Sequence, residues 1–578
     1  MSFSTIRSIA YSSLSAAQYQ MSVTSSNIAN ADTTGYTRKT ANQAAAVSNG
    51  VGTGVTITAV TSSVDKYLVK DLVAAASALG SASATDTFAS RLQSLYGTTS
   101  GSSGTSLASS LVSLEAAMSS LATTPESETL KAQAVQALED VAAQLRETSS
   151  GIQSLRADAD AGIEDAVATV NDALGTIADL NAQIAATQAR GGSTADLEDL
   201  RNTALQAIAT EMDISYYVNS DNQMRIYSSG GTTLLDSSVH ALSYRATSAV
   251  TADTVFGAIT VDGKDITGQI SSGTIGALVT LRDETLVASQ DELDALAGGL
   301  IAALNSAYNA GSALPSPDSL TGSVAVAGSD AFSATGTLRV ALTDATGSLV
   351  SYADLELSSY ATVDEVVSAL DALDGISASL DASGHLVIAA QASGQGVSLA
   401  DLDAAVGSDG AGFAAHFGLN DLLAGTGAAT IAVRPDILAQ SGTLATGGLS
   451  TAAVLTTGAA VISSGENGIA QGLSDALGGK TAFAAAGSLA AGQESFADYA
   501  ARIVSAAAGR ATSAATDLTA KQTAQQTLSD LFSSQTGVNL DEETARLSEL
   551  EQQYSTAAQL LQVLNAMFDA LLAAAQST

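Results

Sequence analysis

Few side chains in this sequence are of a type and spacing that could do covalent chemistry. Its histidines are His240, His385 and His416, and no two lie close in sequence. A lone histidine without a second histidine or clustered carboxylates is not a metal ligand. There is no cysteine, which removes disulfides, thiolate metal sites and cysteine nucleophiles together. Ser63-Val64-Asp65-Lys66 matches the S-x-x-K of serine acyl-transfer sites, but nothing resembling the other elements of such a site follows. Gly50, Gly52 and Gly54 form a weak glycine-rich stretch that lacks the following Lys-Ser/Thr of a phosphate-binding loop. No H-E-x-x-H or G-x-S-x-G occurs. Paired carboxylates are numerous, as a net charge of −36 requires, and they read as solvated faces. These residues predict neither an enzyme nor a cofactor or metal site.

The chemistry left to this chain is that of contact, and composition narrows the partners. The chain has 578 residues, 46 % hydrophobic but only 4 % aromatic, with no tryptophan. Ala, Ser, Thr, Gly and Leu build thin helical seams and small β cores, with few deep aromatic pockets. Without a basic stripe to displace counterions, nucleic acid is excluded as a partner. The acidity also disfavours anionic membranes. Residues 1–70 differ, with Arg7, Arg38, Lys39, Lys66 and Lys70 against Asp32 and Asp65; solvated cations and a docking role are equal readings. The first residues, one cation and no apolar run, are not a cleavable signal peptide. No stretch approaches the ~18 uninterrupted apolar residues of a membrane span.

The strongest elements lie at the two ends. Leu540, Leu547, Leu550, Tyr554, Ala557, Leu561, Leu564, Phe568 and Leu571 recur at alternating three-and-four spacing. That is a heptad seam of about five repeats, with Glu543 its one polar interruption. At 1.5 Å per residue the helix is roughly 50 Å long. A seam so narrow calls for a partner helix. Phe3, Ala10, Leu14, Ala17, Met21, Thr24 and Ile28 supply a complementary one in a helix over 3–31, with Arg7 off the pattern. Its small residues permit close approach, and its small apolar area predicts fraying in the free monomer.

Between the ends the chain alternates helix and strand. A short extended segment starts at Val51, and a helix starts near Asp65. Residues 107–212 read as helices with stripes Leu107–Leu121, then Glu126 to about Leu155, then Ile163–Ile184 with Asn181 inserted, then Leu197–Ile208 after the Arg190-Gly191-Gly192 break. Asn219–Asn222 turns a hairpin between Ile214–Val218 and Met224–Tyr227. Another helix carries Leu293, Leu296, Leu300 and Leu304. Pro315 and Pro317 mark a boundary. Beyond it, residues 322–430 read as an inserted α+β domain, with a helix over 363–373 N-capped by Thr362 or Asp364. Low-complexity Ala, Gly, Thr and Ser fills the chain to about residue 480. Helix returns from Phe496. The expected segments are 1–75, 76–213, 214–314, 322–430, 431–495 and 496–578.

Asn27, Asn30, Asp32, Thr33 and Thr34 suit a helix end, where short polar side chains bond local backbone, and Gly35 permits the turn. The run Ser26-Asn27-Ile28-Ala29-Asn30 followed by Thr34-Gly35-Tyr36 resembles the signature of bacterial flagellar axial proteins, a group of rod, hook and hook-associated proteins. Asp199-Leu200-Arg201-Asn202, the hairpin, Gly276-Ala277-Leu278, Leu281-Arg282-Asp283-Glu284 and Asn305-Ser306-Ala307-Tyr308-Asn309 occur here in the order of the hook-associated protein 1 family. Gly537-Val538-Asn539-Leu540-Asp541-Glu542-Glu543 resembles the C-terminal signature of that family. Asn202 departs from it, standing where a second acid is usual.

The resemblance implies a mainly α fold with β-rich parts. It would be an elongated multidomain rod with a helical-bundle middle, an inserted small α+β domain, and N- and C-terminal helices pairing as a coiled coil. It implies a structural subunit of the hook–filament junction, outside the cell on the flagellum and exported without a cleaved signal. Its implied partners are copies of itself in a ring-like layer, the hook protein, the second hook-associated junction protein and a flagellar export chaperone. No cofactor and no membrane insertion are implied. A distal rod or hook protein, and a secreted adhesin, are the competing readings.

Overall fold

The structure, a computed structural model, describes residues 3–48, 50–62, 64–97, 105–408 and 410–576. It is mainly helical with small sheets. Two compact units interleave along the chain: Met1–Phe88, Ala157–Arg282 and Thr512–Thr578 form the first, Ala89–Arg156 and Asp283–Ala511 the second.

Helix α1 (Phe3–Ala29) is followed by strands β1 (Lys39–Ser48) and β2 (Val51–Ser62), an antiparallel pair in which Ala45 faces Val55. The sequence predicts extended chain only from Val51. Strand β1 escapes because Ala44-Ala45-Ala46 carries no period-2 alternation, and pairing with β2 makes it a strand. Gly54 (φ +135°) lets the hairpin touch α1; a Cβ there would lie 2.0 Å from Ser12 Oγ and 3.4 Å from Ile9 Cα. Helices α2 (Lys66–Leu95) and α3 (Leu107–Thr123) come next.

Where the sequence predicts two helices, one meeting its end near Leu155, the structure has a single helix α4 (Glu128–Ala189) of 62 residues. It contains no proline, and Gly151 and Gly162 mark close approaches instead of ends. A Cβ on Gly151 would come within 2.8 Å of Leu95 Cδ2, and one on Gly162 within 3.0 Å of Leu278 Cδ1. The expected break does occur at Gly191 (φ +73°), and α5 (Ala195–Glu211) follows. The hairpin pairs Ile214–Val218 with Met224–Ser228, and Asn222 takes φ +56° in its turn. Helix α6 (Gly273–Thr280) runs through a π-helical turn, Leu281–Thr285, into α7 (Leu286–Tyr308). The turn directs Arg282 inward, where it donates to Asp160 Oδ1 at 2.8 Å.

The second unit holds the α+β module. Two three-stranded sheets form, 349–356/337–344/395–401 and 376–380/385–390/319–325. Helix α8 (Val363–Asp371) is capped by Thr362, whose Oγ1 accepts from Glu365 N at 3.4 Å. The core runs from Leu320 to Leu419 and includes α9 (Phe413–Phe417). Residues 431–480, low in complexity, are nevertheless ordered. They include α10 (Pro435–Ala439) and α11 (Gly468–Gly478), which packs on α3 and α7. Leu449, Val461 and Ile462 bury against Ala341, Leu349 and Ala400. Arg339, 1 % exposed, is bidentate to Asp354 (2.7 and 2.8 Å) and donates to the carbonyls of Ser450 (3.1 Å) and Ala452 (2.7 Å). Backbone carbonyls carry no side-chain period, so periodicity gives no sign of this anchoring. Helices α12 (Phe496–Thr536) and α13 (Leu540–Gln576) complete the chain.

Candidate assembly site

Within the first unit α1 and α13 pack together. The pair is antiparallel: Asn27 meets Glu543, while Ala10 and Ala557 line one groove. Of the N-terminal seam, Ala10 and Ala17 are buried, with Thr24; Phe3, Leu14, Met21 and Ile28 are half-buried. The helix buries Gln20 and Asn27 in the places expected for Met21 and Ile28. Only these alternate positions turn by one, and at the last of them Asn27 meets the buried Glu543. On α13, Glu543, Leu550, Ala557 and Leu564 are buried at seven-residue spacing. Leu547 and Leu561 are half-buried, while Leu540, Tyr554, Phe568 and Leu571 are exposed. An open groove of about 560 Å³ runs between the helices, floored by Ile6, Ile9, Ala10, Ala557 and Leu560.

At one end of the pair a polar knot joins three parts of the first unit. Asn27 Nδ2 donates to Lys39 O (2.9 Å) and Glu543 Oε2 (3.0 Å). Its Oδ1 accepts from Lys39 N (3.0 Å) and from the Tyr36 hydroxyl (3.0 Å). Glu543, 1 % exposed, also accepts from Arg38 Nε at 2.7 Å, and Arg38 N donates to Thr536 O at 2.7 Å. The next residues reach α5. Thr37 donates to Asp199 through N (2.9 Å) and Oγ1 (2.8 Å), and the buried Lys39 ammonium pairs with the same carboxylate. That ammonium sits 3.8 Å from the Tyr36 ring centroid and 3.4 Å from Asp196. Burial pushes the Tyr36 phenol pKa up; a Ser26 hydrogen bond opposes this, and the Asp196, Asp199 and Glu543 carboxylates add to it. The phenol therefore stays a donor. A buried ion pair with each oxygen bonded fixes register more than it adds stability.

Of the signature residues, Asn27 and Tyr36 are in the knot. Asn30 and Thr34 are outside it: Asn30 bonds Ser26 O at 3.0 Å within the helix end, and Thr34 is exposed. Gly35 (φ +81°) lies against α5, where a Cβ would meet Thr203 Oγ1 at 2.8 Å. The sequence reading of Asn27 as a local helix-end bond is corrected, since its partners are Lys39 and Glu543. Thr37 is not among the expected residues, and Lys39 and Asp199, one a possible docking cation and the other part of a family run, are not expected to meet. Glu543 was visible only as the polar interruption of an apolar seam. Arg38 and Lys39 dock, whereas Arg7, Lys66 and Lys70 are exposed. Arg201, in the same run as Asp199, is buried and holds the hairpin turn through Asn222 O (2.7 Å) and Asn181 Oδ1 (3.1 Å). Burial lowers its pKa.

The other residues considered for chemistry sit apart from the knot. His240 lies between Asp262 and Asp236, His385 beside Asp381, and His416 against Phe332 and Phe417. Ser63 lies outside the described residues. Within Phe496–Gln576 an 18-residue window reaches mean hydropathy 1.4 and is 11 % buried, long and apolar enough to cross a membrane by length and composition. It is not the uninterrupted apolar span considered from the sequence, since Gln559, Gln562, Asn565 and Asp569 interrupt it.

A family model described as flagellar hook-associated protein FlgK helical domain matches residues 89–320. A flagella basal body rod protein model matches residues 8–37, and a flagellar basal body rod FlgEFG protein C-terminal model residues 532–574. Among solved structures, the chain is similar to the flagellar hook junction protein FlgK from Burkholderia pseudomallei at 15 % identity and TM-score 0.46, over 80 % of this chain and 98 % of that one. No curated protein matches the sequence.

Proposed function

The chain belongs to the FlgK family of flagellar hook-associated proteins, and from that premise we propose that α1 and α13, clamped by the knot, form the surface through which copies assemble. It is a structural subunit of the hook–filament junction, located on the flagellum, that self-assembles and associates with hook components. In this reading α13 contributes the assembly seam, with Phe568 and Leu571 left exposed in the single chain for neighbouring copies. The hook protein lies on one side of the layer and the second hook-associated junction protein on the other. An export chaperone covers the apolar end of α13 before secretion. The α+β core from Leu320 to Leu419 supports reading residues 322–430 as a domain of its own.

The observation that carries this reading is the buried Asn27–Glu543 bond, which joins residues 516 apart at the two chain ends. Weak terminal seams that fold only against each other and against neighbours suit a subunit that must cross a narrow channel before assembling. Deleting residues 541–578 tests it. The expected result is loss of motility, with filament monomers released into the medium. Normal filaments with lost surface adhesion would overturn the reading in favour of an adhesin.

A further inference from the structure

From Thr40 to Val64 the chain has no charged residue, in a protein of net charge −36. This stretch contains the β1–β2 hairpin apart from Lys39, and its two edges differ. Val55 N donates to Ser12 Oγ at 3.1 Å, so Val55 and its register partner Ala45 point their backbone groups away from the ladder. At the base Lys39 points outward by the same alternation, and the Asn27 side chain takes up its N–H and C=O. Period-2 alternation along β1 then turns the N–H and C=O of Gln43, Ala45 and Val47 outward as well. Among the described residues no hydrogen bond from outside the hairpin reaches those groups. These residues are exposed, Val47 by 63 %. Edge strands are ordinarily protected by lysine, proline or a covering element; here α1 reaches only the Gln43 side chain, whose Oε1 accepts from Gln20 Nε2 at 3.5 Å, and Ala45 and Val47 are exposed.

We propose that the outer edge of β1, from Gln43 to Val47, pairs with a strand of the hairpin of a second copy of this chain, with Val47 and Val51 at the hairpin tip as apolar anchors. Charge selects the occupant. Two copies at −36 repel wherever their carboxylates approach, and the uncharged hairpin is a place where they meet without that cost. A basic partner would find no carboxylate here, and a nucleic acid no cation. The hairpin packs directly on α1 through Gly54, so the edge continues the terminal-helix surface. Because the β2 edge lies under α1, the edge the second copy offers is its own β1, and the contact is a two-fold pairing of like edges. The inference rests on the reading of the chain as a self-assembling subunit.

Sedimentation velocity of the full-length chain over a concentration series tests it. Ala45→Pro removes an outward N–H while leaving the ladder bonds intact. The double variant Ala45→Lys/Val47→Lys places charge on the edge without touching the Gln20–Gln43 bond to α1, and decides the matter should the proline disturb the hairpin. Phe568→Asp, on the exposed face of α13, reports on the terminal helices. Both hairpin variants should associate roughly tenfold more weakly or worse, the equivalent of one or two net hydrogen bonds, with unchanged circular dichroism. Amides 43, 45 and 47 should gain exchange protection in the associated wild type. If the hairpin variants associate like wild type while Phe568→Asp does not, the edge pairing is wrong and the terminal-helix reading stands. The reverse pattern upholds the edge and removes the terminal helices. A wild-type chain that stays monomeric, or associates without protection at 43–47, overturns the pairing.

Discussion

Asn27 fills both donors and both acceptors of its amide, on Lys39 N and O, the Tyr36 hydroxyl and Glu543. Few side chains are so completely committed. Asn27→Ala should cost about 2–3 kcal/mol by leaving Glu543 and the Lys39 backbone with unmet bonds, read as a lower urea midpoint. Asn27→Asp should cost more, because it replaces the donor N–H with a carboxylate 3.0 Å from Glu543; equal costs would mean that Glu543 does not need that donor. His240 offers a pH readout. Its Nδ1 lies 2.6 Å from Asp262 and its Nε2 3.5 Å from Asp236, and the Asp262 hydrogen bond, against slight desolvation, raises its pKa above the ordinary 6.5. Its protonated form is therefore favoured by folding. The stability it adds is complete below pH 6.5 and fades as pH rises through the raised value. An NMR titration should give a midpoint above 6.5, and the gap in stability between wild type and His240→Gln should shrink toward pH 8. At this scale the sequence showed Asn27 and Tyr36 through their signature. Lys39 and Asp199 lie 160 residues apart, and no spacing in a single sequence joins them.

Between elements, glycine sets the closest contacts. Gly54 sits at φ +135° with Ser12 against its missing side chain, so Gly54→Ala combines backbone strain with overpacking. It should destabilise the α1–hairpin contact by about 1–3 kcal/mol. Thermal unfolding and faster amide exchange at Ser12 and Val55 would register this. An unchanged melting curve would show that α1 does not press on the hairpin in solution. The long helices were legible because apolar stripes at helical spacing need no tertiary information. Helix α4 reads as two because its apolar stripes stop near Leu155 and resume at Ile163, whereas the structure carries one helix through the gap. Strand β1 was missed because Ala44-Ala45-Ala46 is compatible with helix, and the partner strand makes it extended. The expected seam of α1 keeps Ala10, Ala17 and Thr24, but Gln20 and Asn27 are buried in place of Met21 and Ile28, and a count that favours apolar residues passes over them.

For the whole molecule, the two units share chain but not residues, and α13 belongs to the first unit alone. Removing residues 541–578 should therefore have a local signature. Amides of α1 should exchange many-fold faster once Glu543, Leu550, Ala557 and Leu564 are gone, since a seam built on Ala10 and Ala17 has too little apolar area to hold by itself. Amides of the second unit should be unaffected. Slowing or no change in α1 would mean that the helix is stable alone and that the knot is dispensable. Composition argues against nucleic acid and for surfaces instead of pockets; the N-terminal signature resembles axial proteins at large, and the motifs from Asp199 to Asn309 narrow that resemblance to the family. The division into interleaved units was not legible, because it depends on contacts between distant segments. The most direct test of the account is electron microscopy of isolated hook-basal bodies with filaments attached, labelled for this protein. A junction subunit predicts label confined to a short zone where hook meets filament. Label along the length of the hook, or over the cell surface away from flagella, would contradict it.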